Sequence, residues 1–264
     1  MLTNRSDFQL IAEINPPDLP NGIHHDLVGR WDNVLITDNV FGKIRVSPYA
    51  FAARITHDVP AVHPTVVAST RDRNVLAIES EVRGALGNGV DSFLVVVGDT
   101  HPATDHLAHH YEVVDHLTDL QAHMPPFEVG MPTRFRKWQF RKRIELGAQF
   151  FVAGPVIDPA TLDRQLEKLG LEAGDPPVFL MLLPPFSLGW VEGAEQYGCV
   201  PASDAMKAQL AEMDAASGRS FGWEQATLVA EAAQERGLAG AVVTGTKFET
   251  VVGDAAAWRG GLLA

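Results

Sequence analysis

Cysteine is nearly missing from this sequence, Cys199 being the only one. A lone cysteine cannot pair within its own chain, which excludes a disulfide scaffold and fits a reducing, cytoplasmic compartment. Long apolar runs are missing as well. None approaches the ~20 residues that a membrane span needs, and Met1–Asp7 is polar, without the apolar segment of a secretory signal. Basic residues are in deficit, 21 against 33 acidic ones, which sets the formal net charge at −12. Such a chain has no general attraction for DNA or RNA phosphates. Neither nucleic acid nor a membrane is an expected partner. A Gly-x-Gly-x-x-Gly turn after a strand and a Walker loop are also absent, so any dinucleotide must bind by a route unlike a Rossmann fold.

What is present is the material of a sizeable core. Hydrophobic residues make up 46% of the 264 and charged residues 20%, the balance of a globular protein. Short, continuously apolar runs recur at Phe8–Ile14, Asn33–Thr37, Thr65–Ser69, Phe93–Val97, Phe127–Val129, Phe150–Ala153, Val178–Leu183 and Ala241–Thr244. Unbroken apolar runs suit parallel strands buried on both faces. Helical patterns fall between them, at Pro48–Ile55, Val75–Gly87, Tyr111–Ala122, Arg134–Leu146, Ala160–Leu169, Ala202–Met213 and Glu224–Glu235, with a short candidate at His24–Trp31. Pro184–Val200 reads as the longest loop. Eight strands alternating with about eight helices predict an α/β fold, a single (β/α)8 TIM barrel over residues 1–264. The rival is a doubly wound open sheet. The sequence does not fix the oligomeric state, and a homo-oligomer is compatible with it.

In a barrel the chemistry sits at the C-terminal ends of the strands, and this rule turns the strand map into a shortlist. Glu13 lies inside an apolar strand. A carboxylate there is costly unless paired or protonated, and the raised pKa suits a general acid near neutral pH. The competing reading is a structural carboxylate bonded to Arg45 or Arg71. Asp99, in Val97–Gly98–Asp99, either accepts hydrogen bonds from a ring N–H and an amino group or caps the next helix or turn. Ser69–Asn74 places Arg71 and Arg73 around Asp72, as an ion network or an anion grip, with Asp72 or Asn74 as a helix cap. Six of the ten histidines fall between His101 and His123, and His106 with His110 has the spacing of a zinc pair. No cysteine is near and no third ligand stands out, so a solvated face is favoured and no metal is expected. Arg134–Arg143 holds six of the 21 basic residues, a seat for dinucleotide phosphates or a glutamate tail, or else a solvated helix face.

Taken in order, these blocks resemble the methylenetetrahydrofolate reductase family, in its short bacterial form without a regulatory domain. Ala12–Pro17 is similar to that family's first-strand Glu followed by Pro-Pro. Thr37–Asp38–Asn39 with Arg45 and Ser47, Ser69–Asn74, Asn88–Gly89–Val90 before Val97–Gly98–Asp99, Glu145–Ala148 and Leu182–Pro184 continue the match over about residues 8–245. The resemblance implies reduction of 5,10-methylenetetrahydrofolate to 5-methyltetrahydrofolate with NADH or NADPH. It casts Glu13 as the acid that opens the folate five-membered ring and Asp99 as the holder of the pterin. Thr37, Ser69 and Phe186 are then substrate residues, with Trp190 or Tyr197 also able to cover the rings. Arg141, Lys142, Arg143, Thr70 and His101 are cofactor residues. Three departures matter. Ala153–Gly154 stands where the family often has Thr-Gln, Val97 where many flavin-binding members have Arg, and Val67–Ala68–Ser69 where many have His-Leu-Thr. Each removes a polar group expected near a flavin or folate. The expectation is direct hydride transfer in a ternary complex without FAD or FMN. A flavin-dependent form and a non-catalytic folate-binding partner subunit are the alternatives.

Overall fold

The computed structural model describes residues 1–4, 7–18, 28, 30–101, 108–244 and 258. Eight parallel strands close a barrel in chain order: β1 (Gln9–Ile14), β2 (Asn33–Ile36), β3 (His63–Ser69), β4 (Ser92–Val96), β5 (Glu128–Thr133), β6 (Phe150–Val156), β7 (Val178–Leu182) and β8 (Gly240–Val243). β1 pairs with both β2 and β8, which closes the ring. The expected TIM barrel is the observed fold, and all eight strands overlap the apolar runs, although β5 extends four residues past Val129 to Thr133.

Around the barrel run α1 (Pro48–Asp58), α2 (Val75–Leu86), α3 (His110–Leu120), α4 (Lys137–Glu145), α5 (Pro159–Leu169), α6 (Leu188–Gln196), α7 (Asp204–Ala211) and α8 (Ala215–Glu235). Side chains cap several of their starts, the Asn74 cap being one of the two expected for α2. Asn74 accepts from the Ala77 N–H, Asp158 from Ala160 and Ser203 from Met206. Two readings need correction. Pro184–Val200 is not one long loop, because α6 lies within it, capped by Ser187. Helix α8 also begins nine residues before Glu224. Both stretches carry glycines that weaken a helical pattern, and packing overrides that weakness. The His24–Trp31 candidate falls largely outside the described residues.

Alternation along the strands sorts the inward side chains into layers. At the N-terminal end Gln9 bonds Asn33 at 3.1 Å, Thr65 bonds Ser92 at 3.1 Å, and Glu128 accepts the N–H groups of Leu2 and Thr3 from a 3₁₀ turn, Leu2–Asn4. Above this polar floor lies an apolar layer of Ile11, Leu35, Val67, Leu94, Val152 and Val242. Two residues further along their strands stand Glu13, Thr37, Ser69, Val96 and Thr244. The period of two therefore lifts a second polar layer to the barrel mouth.

Candidate active site

A cavity of about 530 Å³ opens on that upper layer, within the size range of small-molecule sites. Glu13 lies on its floor among Leu35, Val67, Leu94 and Val152. Neither Arg45 nor Arg71 reaches it. Its partner is the Thr244 hydroxyl, which donates to Oε1 at 2.6 Å. Burial pushes the Glu13 carboxyl up to about 7, and the Thr244 bond offsets part of that rise. A carboxylic acid that titrates near neutrality suits proton delivery to a ligand above it. Arg45 instead bonds the Pro16 carbonyl and Asp18, each at 3.0 Å.

Asp99 rims the same cavity and is exposed. Its Oδ2 accepts the Phe41 N–H at 2.7 Å, so it caps the turn after β2. This tie holds Phe41 at φ 58, and the half-exposed Phe41 ring meets the Tyr197 ring with centroids 5.0 Å apart. Asp99 is thus both a cavity residue and a turn cap, though the turn it caps is the distant one after β2 and not the next one along the chain. Gly98 makes this placement possible. Its φ is +82, and a side chain there would overlap Ser69 Oγ. Ser69 is buried at the strand end, where its oxygen accepts the Arg71 N–H at 3.2 Å.

Thr37 lines the cavity and donates to Asn15 Oδ1 at 2.6 Å. Beside it Asp38 is buried and paired with Arg73, whose Nε also lies 3.1 Å from Glu81. The Ser69–Asn74 block thus forms an ion network, but through Asp38 and not Asp72. Asp38 and Asp99 are shared with a second cavity of about 400 Å³, which Arg71 and His101 also line. The two hollows flank Asp99.

The basic segment divides. Arg143 lines the main cavity with Arg134 and Gln139. Arg143 bonds the Pro132 carbonyl, burial pulls its pKa below the ordinary guanidinium value, and its buried Nε has no partner among the described residues. Its charge, after burial, also helps hold His110 down to about 4. Arg141 faces away, clamped by Asp175, Glu172 and the Gly170 carbonyl. Lys142 is exposed 3.7 Å from Glu145. Neither lines a cavity described here, so the expected cofactor role of these two does not follow from their positions. Thr70 is fully buried and lies outside the cavities, unlike His101.

Phe186 also lies elsewhere. It packs edge-on against Trp223 at 5.4 Å and fills the notch left by Gly218 and Gly222 on α8, so its position makes it a structural residue, not a cover over the rings. Trp190 joins that cluster at 6.3 Å from Phe186. Among the described residues no three His, Cys, Asp or Glu side chains converge as a metal site requires. His109 caps α3 through the Tyr111 N–H, His116 pairs with Glu79 at 2.6 Å, and His106 lies outside the described residues. No described helix is long and apolar enough to cross a membrane. Sequence reasoning missed Thr244 as Glu13's partner and Arg134 as a cavity residue. Strand alternation signals the first, and nothing local distinguishes Arg134 from Arg141.

No protein-family model and no curated protein matches the chain. Solved structures share the fold. An uncharacterized protein from Clostridium thermocellum that binds two copies of 5-methyl-5,6,7,8-tetrahydrofolic acid superposes with a TM-score of 0.64 at 14% identity, covering 100% of this chain and 98% of that one. A 2,3-dimethylmalate lyase of the PEP mutase/isocitrate lyase superfamily gives 0.54 at 14% identity, covering 98% and 80%. An EDTA monooxygenase from Chelativorans sp. BNC1 gives 0.53 at 12% identity, covering 96% and 94%. At these identities the likeness is one of fold.

Proposed function

We propose that this protein reduces 5,10-methylenetetrahydrofolate to 5-methyltetrahydrofolate, with hydride taken directly from NADH or NADPH. The observation that carries the reading is Glu13, a cavity-floor carboxyl raised to about 7 with a single hydroxyl partner. The likeness to a folate-binding barrel along nearly the full length of both chains adds support.

The chemistry balances around that proton. Glu13, as the acid, protonates N10 of the folate as the bond from N10 to the methylene carbon breaks. The methylene is left as a cationic iminium on N5. The nicotinamide supplies a hydride to that carbon, giving the methyl group. Asp99 has one oxygen on the Phe41 N–H and the other available to a pterin N–H, and its negative charge favours the cation. Arg143, Arg134 and Gln139 fit an anionic donor, since the buried Arg143 Nε lacks a partner among the described residues. Apolar Leu35, Val67 and Leu94 surround the floor and lower the polarity around Glu13.

Glu13→Gln tests this reading. Turnover is expected to fall at least 100-fold while ligand affinity stays within a few-fold. Near-normal turnover in that variant at every pH would remove Glu13 from the acid role. An absorbance scan of purified protein between about 300 and 500 nm separates direct transfer from a flavin-dependent form.

A second reading is favoured by the paired hollows. The cavities of about 530 and 400 Å³ share Asp38 and Asp99, and the Clostridium protein binds two folates. On this reading the barrel binds two reduced pterins without turning them over. Calorimetric titration giving two folates per chain, with no oxidation of NADH or NADPH, would favour it.

A further inference from the structure

The cations of Arg134–Arg143 do not share one environment. Lys137 and Arg141 have carboxylate partners at 2.9 Å. Arg134 and Arg136 instead line a third hollow of about 230 Å³ with Lys168. These three form no ion pair with a described residue, and no described carboxylate lines the hollow. Gln165 forms part of its wall, 7% exposed, its carboxamide without a hydrogen bond to any described residue. Arg136 also precedes α4 without capping it, so the positive end of that helix adds to the potential. Three cations gathered at one concavity without a counter-charge among the described residues repel one another, in a chain with 33 acidic residues in all. The missing counter-charge is the signature of an anionic ligand.

The hollow adjoins the Glu13 cavity, since Arg134 and Gly154 line both. We infer that it seats the anionic tail, carboxylates or phosphates, of the ligand whose ring occupies the Glu13 cavity. This rests on the folate and nicotinamide reading above. Two sources share that chemistry: the γ-linked glutamyl carboxylates of a folate and the phosphates of the dinucleotide. Arg134 anchors the junction with a planar fork suited to either oxyanion, Gln165 supplies a buried amide donor, and Arg136 and Lys168 supply charge at the far side.

The test uses the full chain with Arg136→Glu and Lys168→Glu combined, and Lys142→Glu as the control on a solvated face. Arg134 is left intact because it also lines the Glu13 cavity. Calorimetry is run with 5-methyltetrahydrofolate as monoglutamate and triglutamate, with NADH, and with tri-γ-glutamate and pyrophosphate alone. The expected result is at least a tenfold loss of affinity for one tail class in the double variant and none in the control. Loss confined to the triglutamate and tri-γ-glutamate assigns the hollow to glutamyl carboxylates. Loss confined to NADH and pyrophosphate assigns it to phosphates. Unchanged affinity for every tailed ligand and probe overturns the inference, and leaves the Glu13 reading standing if the monoglutamate still binds. If the probes bind in a charge-dependent way but neither folate nor NADH does, the anion seat stands and the folate reading fails. Should the double reversal not fold, Arg136→Gln with Lys168→Gln is used, and a loss of at least threefold is then expected.

Discussion

The Thr244 hydroxyl donates to Glu13 Oε1 at 2.6 Å and so links the ends of the first and last barrel strands. At the opposite end of the barrel Glu128 receives two backbone N–H groups from the turn that seals the floor. Both glutamates face inward on a strand, yet their surroundings differ. Glu128 is tied into the scaffold, while Glu13 has one neutral donor and an open cavity above it. That asymmetry makes Glu13 the group whose proton can move.

Its proton also couples to stability. The folded chain holds it to about pH 7, whereas the unfolded chain releases it near the ordinary value of 4.5. Between those values the native state binds more protons, so stability falls as pH rises. The loss is complete above about pH 7 and amounts to roughly 3 kcal/mol. Glu13→Gln cannot ionise, so it is expected to match the parent near pH 4.5 and exceed it by roughly that amount at pH 8. Urea unfolding at the two pH values measures the difference. Equal stability of parent and variant at pH 8 would show that burial does not raise Glu13.

Thr244→Val is expected to move the Glu13 pKa upward. The hydroxyl bond favours the charged carboxylate, so its removal leaves burial unopposed. If protonated Glu13 is the acid, activity declines as pH rises through its pKa, and the variant retains activity to a higher pH. Thr244→Ser restores the donor and is expected to restore the parent profile. A pH–rate series for the three proteins checks this, and coincident profiles would count against the link.

Asp99 has two duties that two substitutions separate. Asp99→Asn keeps an oxygen for the Phe41 N–H but discards the charge that favours a cation. It is expected to retain thermal stability and lose kcat/KM by about 10- to 100-fold. Asp99→Ala removes both, and is expected to lose about 1 kcal/mol of stability as well. If Asn and Ala behave alike in both measurements, the charge and the turn cap are not separable.

How far the sequence reaches depends on what kind of signal each feature leaves. The strands are legible because a parallel barrel strand is buried on both faces and must be apolar throughout, as in Val178–Leu182. Glu13 is legible because it breaks such a run. The start of α8 is not, because Gly218 and Gly222 lower its helical propensity and are explained only by Phe186 packing across them. The same contact removes Phe186 from the candidate site. The direction of each arginine in Arg134–Arg143 is likewise hidden. It depends on Asp175 and Glu172, which lie some thirty residues away and across α5.

That division of the basic segment has a measurable consequence. Arg141→Ala breaks the pairing with Asp175 and the bond to the Gly170 carbonyl, so it is expected to cost about 1–2 kcal/mol of stability. Because Arg141 lines no described cavity, KM for NADH or NADPH is expected to stay within twofold. Arg143→Met touches the cavity wall and is expected to raise that KM at least tenfold. A large KM change in Arg141→Ala would return the phosphates to the outer face of α4.

Gly98→Ala tests whether Asp99 owes its position to its neighbour. Two penalties combine at this residue. A φ of +82 is strained for any side chain, and the added methyl would overlap Ser69 Oγ. Together they are expected to cost about 2–4 kcal/mol and to displace Asp99 from the Phe41 N–H. Adding Ser69→Gly opens the space but leaves the backbone strain, so roughly half the stability should return. Denaturant unfolding reads the energies, and kcat/KM reads the position of Asp99. Recovery of stability without recovery of kcat/KM would mean that Ser69 itself serves the ligand, through the hydroxyl that the rescue removes. Recovery of both would make Ser69 a spacer, and would leave Gly98 as the residue that turns the fourth strand so that its aspartate meets the cavity.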